Sequence, residues 1–395
     1  MQLKEYQNNG QNKAIYDSAL VFLWCFFIQL FNFPNKLAVL LGILFCAVIV
    51  WKSRISVEYV RKLLLITAFL SYSIIVGKDR NTILMYAVFP VTFFFLGESV
   101  TKAFPEEKYR TGVLAAVVGG YTVHGILNSC IFFRDGISGV RGWADIWYQT
   151  FSPATQQIIF YLPMMALMFV SLYMVKKKTV PCLCLIAGNL FFLYVSFASL
   201  SRGSIVIWAL VLPMEGILYL LLNHKQPEKF LNKKVLFCLV GIGVLALAAW
   251  EILMHSSYAS VLTRDGGILN NIRFKGQICA IRQLFTYPMG GYQMYLAGMQ
   301  YAHNIWLDTA NAAGLIPFTA LVLYTLLSVY DLMKLLFKTN ISQEIKYAMS
   351  GIYVAFFLYY MIEPALEANI LFLIPWIFLN GVIYGCLYKK GEEQR

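Results

Sequence analysis

Three side chains stand out for the chemistry they offer. Arg202 sits in Ala198-Ser199-Leu200-Ser201-Arg202-Gly203, where one apolar run ends and the next begins. Arg273 belongs to a cluster with Arg264, Lys275 and Arg282, in which Asp265 is the only acid. His303 lies in Tyr301-Ala302-His303-Asn304-Ile305-Trp306-Leu307-Asp308. A guanidinium is planar and binds phosphate or carboxylate in a two-pronged manner. An imidazole titrates near neutral pH and can take a proton from a hydroxyl. The three together suit a site that holds an anion and deprotonates a nucleophile. Each also has a plainer reading: Arg202 as a snorkelling residue at a helix end, the cluster as a solvated loop face, and His303 as a packed interfacial histidine. Ser201 and Gly203 are small, which leaves room for a ligand beside the Arg202 guanidinium. Asn304 is suited to cap the helix that follows. Asp308, one helical turn on, is placed to orient His303.

The elements that must position these residues are set by composition. The chain has 395 residues, 59% of them hydrophobic and 13% charged. Soluble domains carry about 25% charged residues, so a chain solvated by lipid is expected. A spanning helix needs about 20 mostly apolar residues. Hydropathy marks twelve candidates, at 17–33, 37–51, 57–76, 82–97, 111–132, 154–175, 180–200, 203–223, 235–254, 304–330, 346–362 and 368–388. The fold expected is an all-α polytopic transmembrane bundle of about twelve helices, a single integral membrane domain over 1–395. The polar N-terminus, lacking a small-residue cleavage site, reads as no cleavable signal peptide. Two long loops break the pattern, 133–153 and 255–303, the second between spans nine and ten. The stretch 272–285 within it is an expected amphipathic helix. Its apolar positions Ile272, Ile278, Ile281, Leu284 and Phe285 recur at helical spacing, while Arg273, Gln277 and Arg282 project elsewhere. Pro288 and the pair Gly290–Gly291 then turn the chain.

Charge gives the orientation. With both termini in the cytoplasm, ten of the 32 basic residues fall outside: Lys36, Lys78, Arg80, Arg134, Arg141, Arg202, Arg264, Arg273, Lys275 and Arg282. The other 22 fall inside, as the positive-inside rule requires. The rule accounts for most of the net charge of +12 and makes nucleic acid an unneeded partner. It does not distinguish arginine from lysine. Seven of the outer ten are arginine against four of the inner 22. The outer face is therefore expected to hold an anion.

Other residues carry less. The eight cysteines contain no CxxC pair and mostly lie in apolar segments, so neither a metal site nor a disulfide framework is expected. His124 reads as a packed polar residue within a span, His224 as cytoplasmic, and His255 as a distant second choice of base. Glu215 and Glu251 read first as helix–helix hydrogen-bonding groups. The sequence has no HExxH, P-loop, GxSxG or dinucleotide fingerprint, and no acidic pair on the outer face offers metal ligands.

Three stretches in this order resemble the O-antigen ligase/O-antigen polymerase family of bacterial membrane glycosyltransferases. They are Ser201-Arg202-Gly203, the segment from Arg273 to Pro288-Met289-Gly290-Gly291, and His303-Asn304-Ile305-Trp306-Leu307 followed by Ala313-Gly314-Leu315-Ile316-Pro317. Arg141-Gly142-Trp143 through Pro153 looks like the arginine-bearing loop ahead of the sixth span. Either Arg264 or Arg273 answers to the second family arginine, with Arg273 favoured by its distance to the Pro-Gly turn. The resemblance implies a GT-C-like bundle in the bacterial cytoplasmic membrane and a metal-independent, inverting transferase without cofactor. The donor would be an oligosaccharide on undecaprenyl pyrophosphate and the acceptor a glycan hydroxyl, with a flippase and a chain-length regulator as accessory partners. Arg202, Arg273 and His303 would be catalytic. Arg141, Arg264, Lys275, Arg282 and Asn304 would bind substrate. Nothing marks a dedicated acceptor, which favours a polymerase over a ligase acting on lipid A-core, protein or wall polymer. A flippase for the same lipid-linked glycan is the reading from a different class. It would place cations through the bilayer depth, whereas these concentrate in loops and at span ends.

Overall fold

The computed structural model describes residues 23, 25–26, 60–77, 80–104, 106–135, 142–147, 151–174, 178–223, 272–368 and 370–387. The expected first, second and ninth spans lie wholly or almost wholly outside these residues, as do Arg141, Arg264, His224, His255 and Glu251. The described part is mostly helical. In chain order it contains α1 (Val60–Val76), α2 (Arg80–Ala103), α3 (Glu107–Arg134), β1 (Gly142–Ala144), β2 (Phe151–Pro153), α4 (Ala154–Gln157), α5 (Leu162–Met165), α6 (Met168–Met174), α7 (Thr179–Ala198) and α8 (Arg202–Asn223). There follow α9 (Ile272–Gln283), α10 (Ile305–Ala313), α11 (Leu315–Lys338), α12 (Gln343–Ile362), α13 (Ala365–Ala368) and α14 (Ile374–Leu387). Single 3-10 turns at Ile158–Phe160 and Ile370–Phe372 precede α5 and α14.

Six described helices are long and apolar enough to cross a membrane, or seven if α4–α6 and its 3-10 turn form one span bent by 59°. α7 and α8 show why these segments are apolar. Only 28% and 33% of their apolar windows are buried in the protein, against 89% for the segment ending at Leu387. Val180, Leu183, Leu190, Leu210, Met214 and Ile217 face outward, and lipid is the solvent that suits them.

The packing is close where side chains are absent. Gly97 of α2 and Gly381 of α14 each place their Cα against the other helix's backbone, so any Cβ there would strike a carbonyl oxygen. Small residues at such crossings let helices approach without a hydrophobic drive. Buried hydroxyls close on their own helix, as Thr325 to Leu321 and Ser196 to Phe192. Asn380 donates to the Tyr324 hydroxyl at 3.0 Å. Glu215 accepts from Ser350 at 2.7 Å, linking α8 to α12, the helix–helix role expected of it.

Four expectations need correction. The long tenth span at 304–330 is two helices, α10 and α11, broken at Gly314. Nine residues of α10 rise only about 14 Å, too little to cross a membrane. The sixth span is broken at a 3-10 turn and bent by 59°, and α2 is longer than the segment predicted for it. The loop at 133–153 is not all irregular, since β1 and β2 pair antiparallel with Trp143 opposite Ser152. That hairpin is anchored from below. Asp145 takes His124 Nε2 at 2.7 Å and Asn128 Nδ2 at 3.1 Å, and the buried His124 ring stacks on Phe160. His124 is thus the packed polar residue expected, with an added role in fixing the loop that follows Arg141.

Candidate functional site

The site is organised by a residue the sequence did not single out. Pro364 ends α12, and the residue before a proline is driven to extended backbone. Glu363 adopts φ −131° and ψ 144° there, while its N–H donates to Tyr359. Its side chain is turned inward and is 1% exposed. Arg273 Nη1 donates to Glu363 Oε1 at 2.7 Å and to the Ile362 carbonyl at 2.8 Å. A cation at the last carbonyls of a helix also meets the negative end of its dipole. Thr155, on α4, hydrogen-bonds the same carboxylate. His303 Nδ1 lies 3.9 Å from Glu363 Oε2 and has no hydrogen-bond partner. At the start of α8, a Cβ on Gly203 would lie 3.1 Å from Ile362 Cδ1 and 4.0 Å from Glu363 Oε1. The start of α8, at Gly203, therefore lies near the carboxylate that Arg273 binds and His303 approaches. Gly203 was expected to leave room for a ligand. Its smallness is instead used for contact with Ile362 and Ile158.

Helix α9 presents Arg273 by a face of small and polar residues. Gly276 and Ala280 are buried, and Gln277 donates to the carbonyls of His303 at 3.2 Å and Met361 at 3.0 Å. The faces are separated as the spacing suggested. The polar face meets the protein, however, while Ile272, Ile278, Ile281 and Phe285 are exposed. Lys275 and Arg282 lie on the opposite side of the helix from Arg273 by their spacing, and both are exposed. They do not join Arg273 and His303, a correction to their grouping as one substrate-binding cluster.

The loop from 284 to 304 is held by the two Pro-Gly and Ala-Gly stretches acting on each other. Leu315 N–H donates to Pro288 at 2.8 Å, Gly291 N–H to Ala312 at 2.9 Å and Tyr292 N–H to Asn311 at 2.8 Å. Gly290 and Gly314 meet backbone to backbone at φ +74° and +89°, so a Cβ on Gly290 would lie 2.5 Å from the Gly314 nitrogen. Only glycine satisfies both conditions. The loop then delivers His303 at φ +55°, an unfavourable backbone conformation for a side chain of this size.

Asp308 holds that conformation. Its carboxylate accepts from Ala302 N–H at 2.6 Å and Asn304 N–H at 3.0 Å, on either side of His303. It was expected to orient the imidazole and does so through the backbone rather than by touching the ring. Asn304 caps α10, accepting from Leu307 N–H at 3.2 Å. It is 8% exposed, and its side-chain oxygen is engaged in the cap.

The electrostatics follow from burial. Burial and the Arg273 guanidinium hold the His303 imidazole down to about 3, so the ring is neutral at physiological pH. Burial pushes Asp308 up to about 7 against its two N–H donors. It also raises Glu363, partly countered by Arg273.

Arg273 offers a guanidinium whose side chain is 30% exposed. A positioned guanidinium, a neutral imidazole and a helix N-terminus at Arg202 make a place where negative charge is stabilised and a proton taken up. No protein-family model matches the chain, and no curated protein matches it.

Proposed function

We propose that this protein transfers a glycan from undecaprenyl pyrophosphate to an acceptor hydroxyl, as a polymerase of cell-surface polysaccharide. The observation that carries the reading is the meeting of Arg273 and His303 at Glu363, with Arg202 at the adjoining helix start. In this reading the bundle has twelve spans and a GT-C-like arrangement in the bacterial cytoplasmic membrane. Its termini are cytoplasmic, and the Glu363 end faces away from the cytosol.

The step is a direct displacement. The acceptor oxygen bonds to the anomeric carbon of the donor sugar while the bond from that carbon to the phosphate oxygen breaks. Negative charge grows on the departing undecaprenyl pyrophosphate, and Arg273 and Arg202 oppose it. Fixed cations aimed at growing charge are usually the largest catalytic contribution. His303 takes the acceptor's proton, worth roughly 10²–10⁴-fold. Its neutral form is the base required, and the incoming pyrophosphate offsets the Arg273 charge that depresses its basicity. Glu363 keeps Arg273 in place, and its other carboxylate oxygen lies 3.9 Å from His303 Nδ1, near enough to favour the imidazolium. The displacement inverts the anomeric centre and needs no covalent intermediate.

The test is polymer lengthening in cells carrying Arg202→Ala, Arg273→Ala or His303→Ala. Each variant is expected to stay in the membrane and to make only single repeat units. Normal long-chain glycan from all three contradicts the reading. EDTA is expected to leave transfer intact, and a loss restored by Mg²⁺ contradicts catalysis by guanidinium groups alone.

A further inference from the structure

Four residues beyond Glu363, a second carboxylate lies at the same end of the bundle and is not used by the step above. Glu367, on α13, accepts from Tyr72 at 2.5 Å through Oε1 and from Tyr292 at 2.8 Å through Oε2. Tyr72 stacks on Tyr86 with ring centroids 5.4 Å apart, and Tyr86 donates to the Leu366 carbonyl at 3.1 Å. The cluster thus joins α1, α2, α13 and the loop that carries His303.

Its chemistry differs from that of Glu363. Among the described residues, the groups that donate to the Glu367 carboxylate are the two tyrosine hydroxyls and no cation. Burial raises the Glu367 carboxyl as it does Glu363. Tyr292 is 48% exposed yet held at φ +59°, between the hydrogen bond to Asn311 and the bond from its own hydroxyl. A strained non-glycine residue with an exposed ring suggests a functional constraint. Asn311 further fixes this strand of loop by accepting from Met294 N–H at 3.1 Å.

We propose that Glu367, Tyr292 and Tyr72 form the subsite for the acceptor sugar. This rests on the transferase reading. A sugar hydroxyl that displaces the Tyr292 hydroxyl from Glu367 replaces one hydroxyl–carboxylate bond by another. The exchange therefore leaves no buried acceptor unpaired, a loss that would otherwise be costly. The exposed tyrosine ring offers the apolar surface on which a sugar ring rests. Glu363 and Glu367 are four residues apart, so chain length alone limits their separation to about 14 Å. That is a span a short oligosaccharide can bridge, so an acceptor held on Glu367 can extend a hydroxyl toward His303 beside Glu363.

The test uses the full-length protein in detergent and two probes. One is the repeat-unit oligosaccharide cut from the cell's own polymer, as acceptor, with the undecaprenyl-pyrophosphate-linked repeat unit supplying the glycan that is transferred; the other is undecaprenyl pyrophosphate itself, as donor-side ligand in binding measurements. Glu367→Gln is expected to raise KM for the oligosaccharide about tenfold or more, the worth of a hydrogen bond to a charged group. Tyr292→Phe keeps the ring and removes the hydroxyl that the sugar has to displace, so it is expected to lower KM about threefold. In both variants undecaprenyl pyrophosphate should bind as in the unmodified protein. An unchanged KM in both overturns the assignment. Loss of undecaprenyl pyrophosphate binding in both overturns it too, since the carboxylate would then belong to the donor side. If Glu367→Gln fails to fold, the half-exposed Tyr292→Phe carries the test alone. Failure of the transferase reading has its own signature: no transfer by the unmodified protein, and undecaprenyl pyrophosphate binding untouched by Arg273→Ala. Saturation-transfer NMR of the oligosaccharide then decides the subsite separately. Stronger contact in Tyr292→Phe supports it, and equal or weaker contact overturns it.

Discussion

The two ends of the helical bundle use charge differently. At one end Arg61 grips Asp331 with two hydrogen bonds, of 2.5 and 2.6 Å, and its guanidinium lies 4.8 Å from the Tyr384 ring centre. Glu98 lies between Lys102 at 2.7 Å and Lys62 at 2.9 Å. Lys346 donates to the carbonyls of Leu336 and Thr339, closing the end of α11. These groups are almost wholly buried, and the non-glycine residues with positive φ all lie elsewhere among the described residues. At the other end, Leu200, Tyr292, Ala297 and His303 have positive φ, in the connections before α8 and α10. There Arg273 is partly exposed and a histidine nitrogen is buried without a partner. Ion pairs that are closed and unstrained hold helices together. Backbone strain gathers where a ligand is to complete the structure.

Substitutions can break that contrast, and the largest effect on transfer is expected at the imidazole. His303→Ala should lower the rate roughly 10²–10⁴-fold, the range for a lost general base. The check is a single-turnover assay with purified protein. Next comes Asp308→Asn, which replaces one acceptor oxygen by a donor facing a backbone N–H. It is expected to cost about 10–100-fold in rate, because a hydrogen bond to a charged group is worth roughly 1.5–3 kcal/mol. Binding of undecaprenyl pyrophosphate should be unaffected.

The pH profile sharpens the same point with a smaller effect. His303 is held down to about 3, so its neutral form persists as pH falls well below 6. Asp308 is pushed up to about 7, so its accepting form is lost as pH falls through neutrality. The acid limb of kcat/KM should therefore lie near pH 7 in the unmodified protein. Asp308→Asn should remove that limb and leave the profile flat down to about pH 5. A limb unmoved by this substitution would assign it to another group.

The smallest effect on transfer is expected at the far end. Arg61→Ala leaves Asp331 buried without its partner, a change that costs roughly 3–5 kcal/mol of stability. Thermal unfolding in detergent should drop by several degrees, while the rate per folded molecule stays unchanged. A large loss of rate at full stability would remove the distinction between the ends.

Legibility in the sequence followed locality. Asn304 as a cap, the turn at Gly290–Gly291, the helix at 272–283 and the prominence of Arg273 and His303 rest on neighbours within a few residues. Glu363 and Glu367 were missed because their partners lie far along the chain: Glu363 is 90 residues from Arg273, and Glu367 is 295 from Tyr72. The one local signal was a pair of glutamates flanking Pro364-Ala365-Leu366 just past an apolar run. The break at Gly314 was hidden because a hydropathy window averages over a single residue. It became visible only when Gly290 was found packed against it. Lys275 and Arg282 were grouped with Arg273 by count, whereas the helix separates them by angle.

The most direct measurement is a cryo-electron microscopy map of the protein with undecaprenyl pyrophosphate bound. The two phosphates should lie within about 3 Å of the Arg202 and Arg273 guanidinium nitrogens, with the Nε2 of His303 facing the position of the acceptor oxygen. Phosphate density at the Lys62 end, or a pyrophosphate touching neither arginine, would contradict a shared anion site at Glu363.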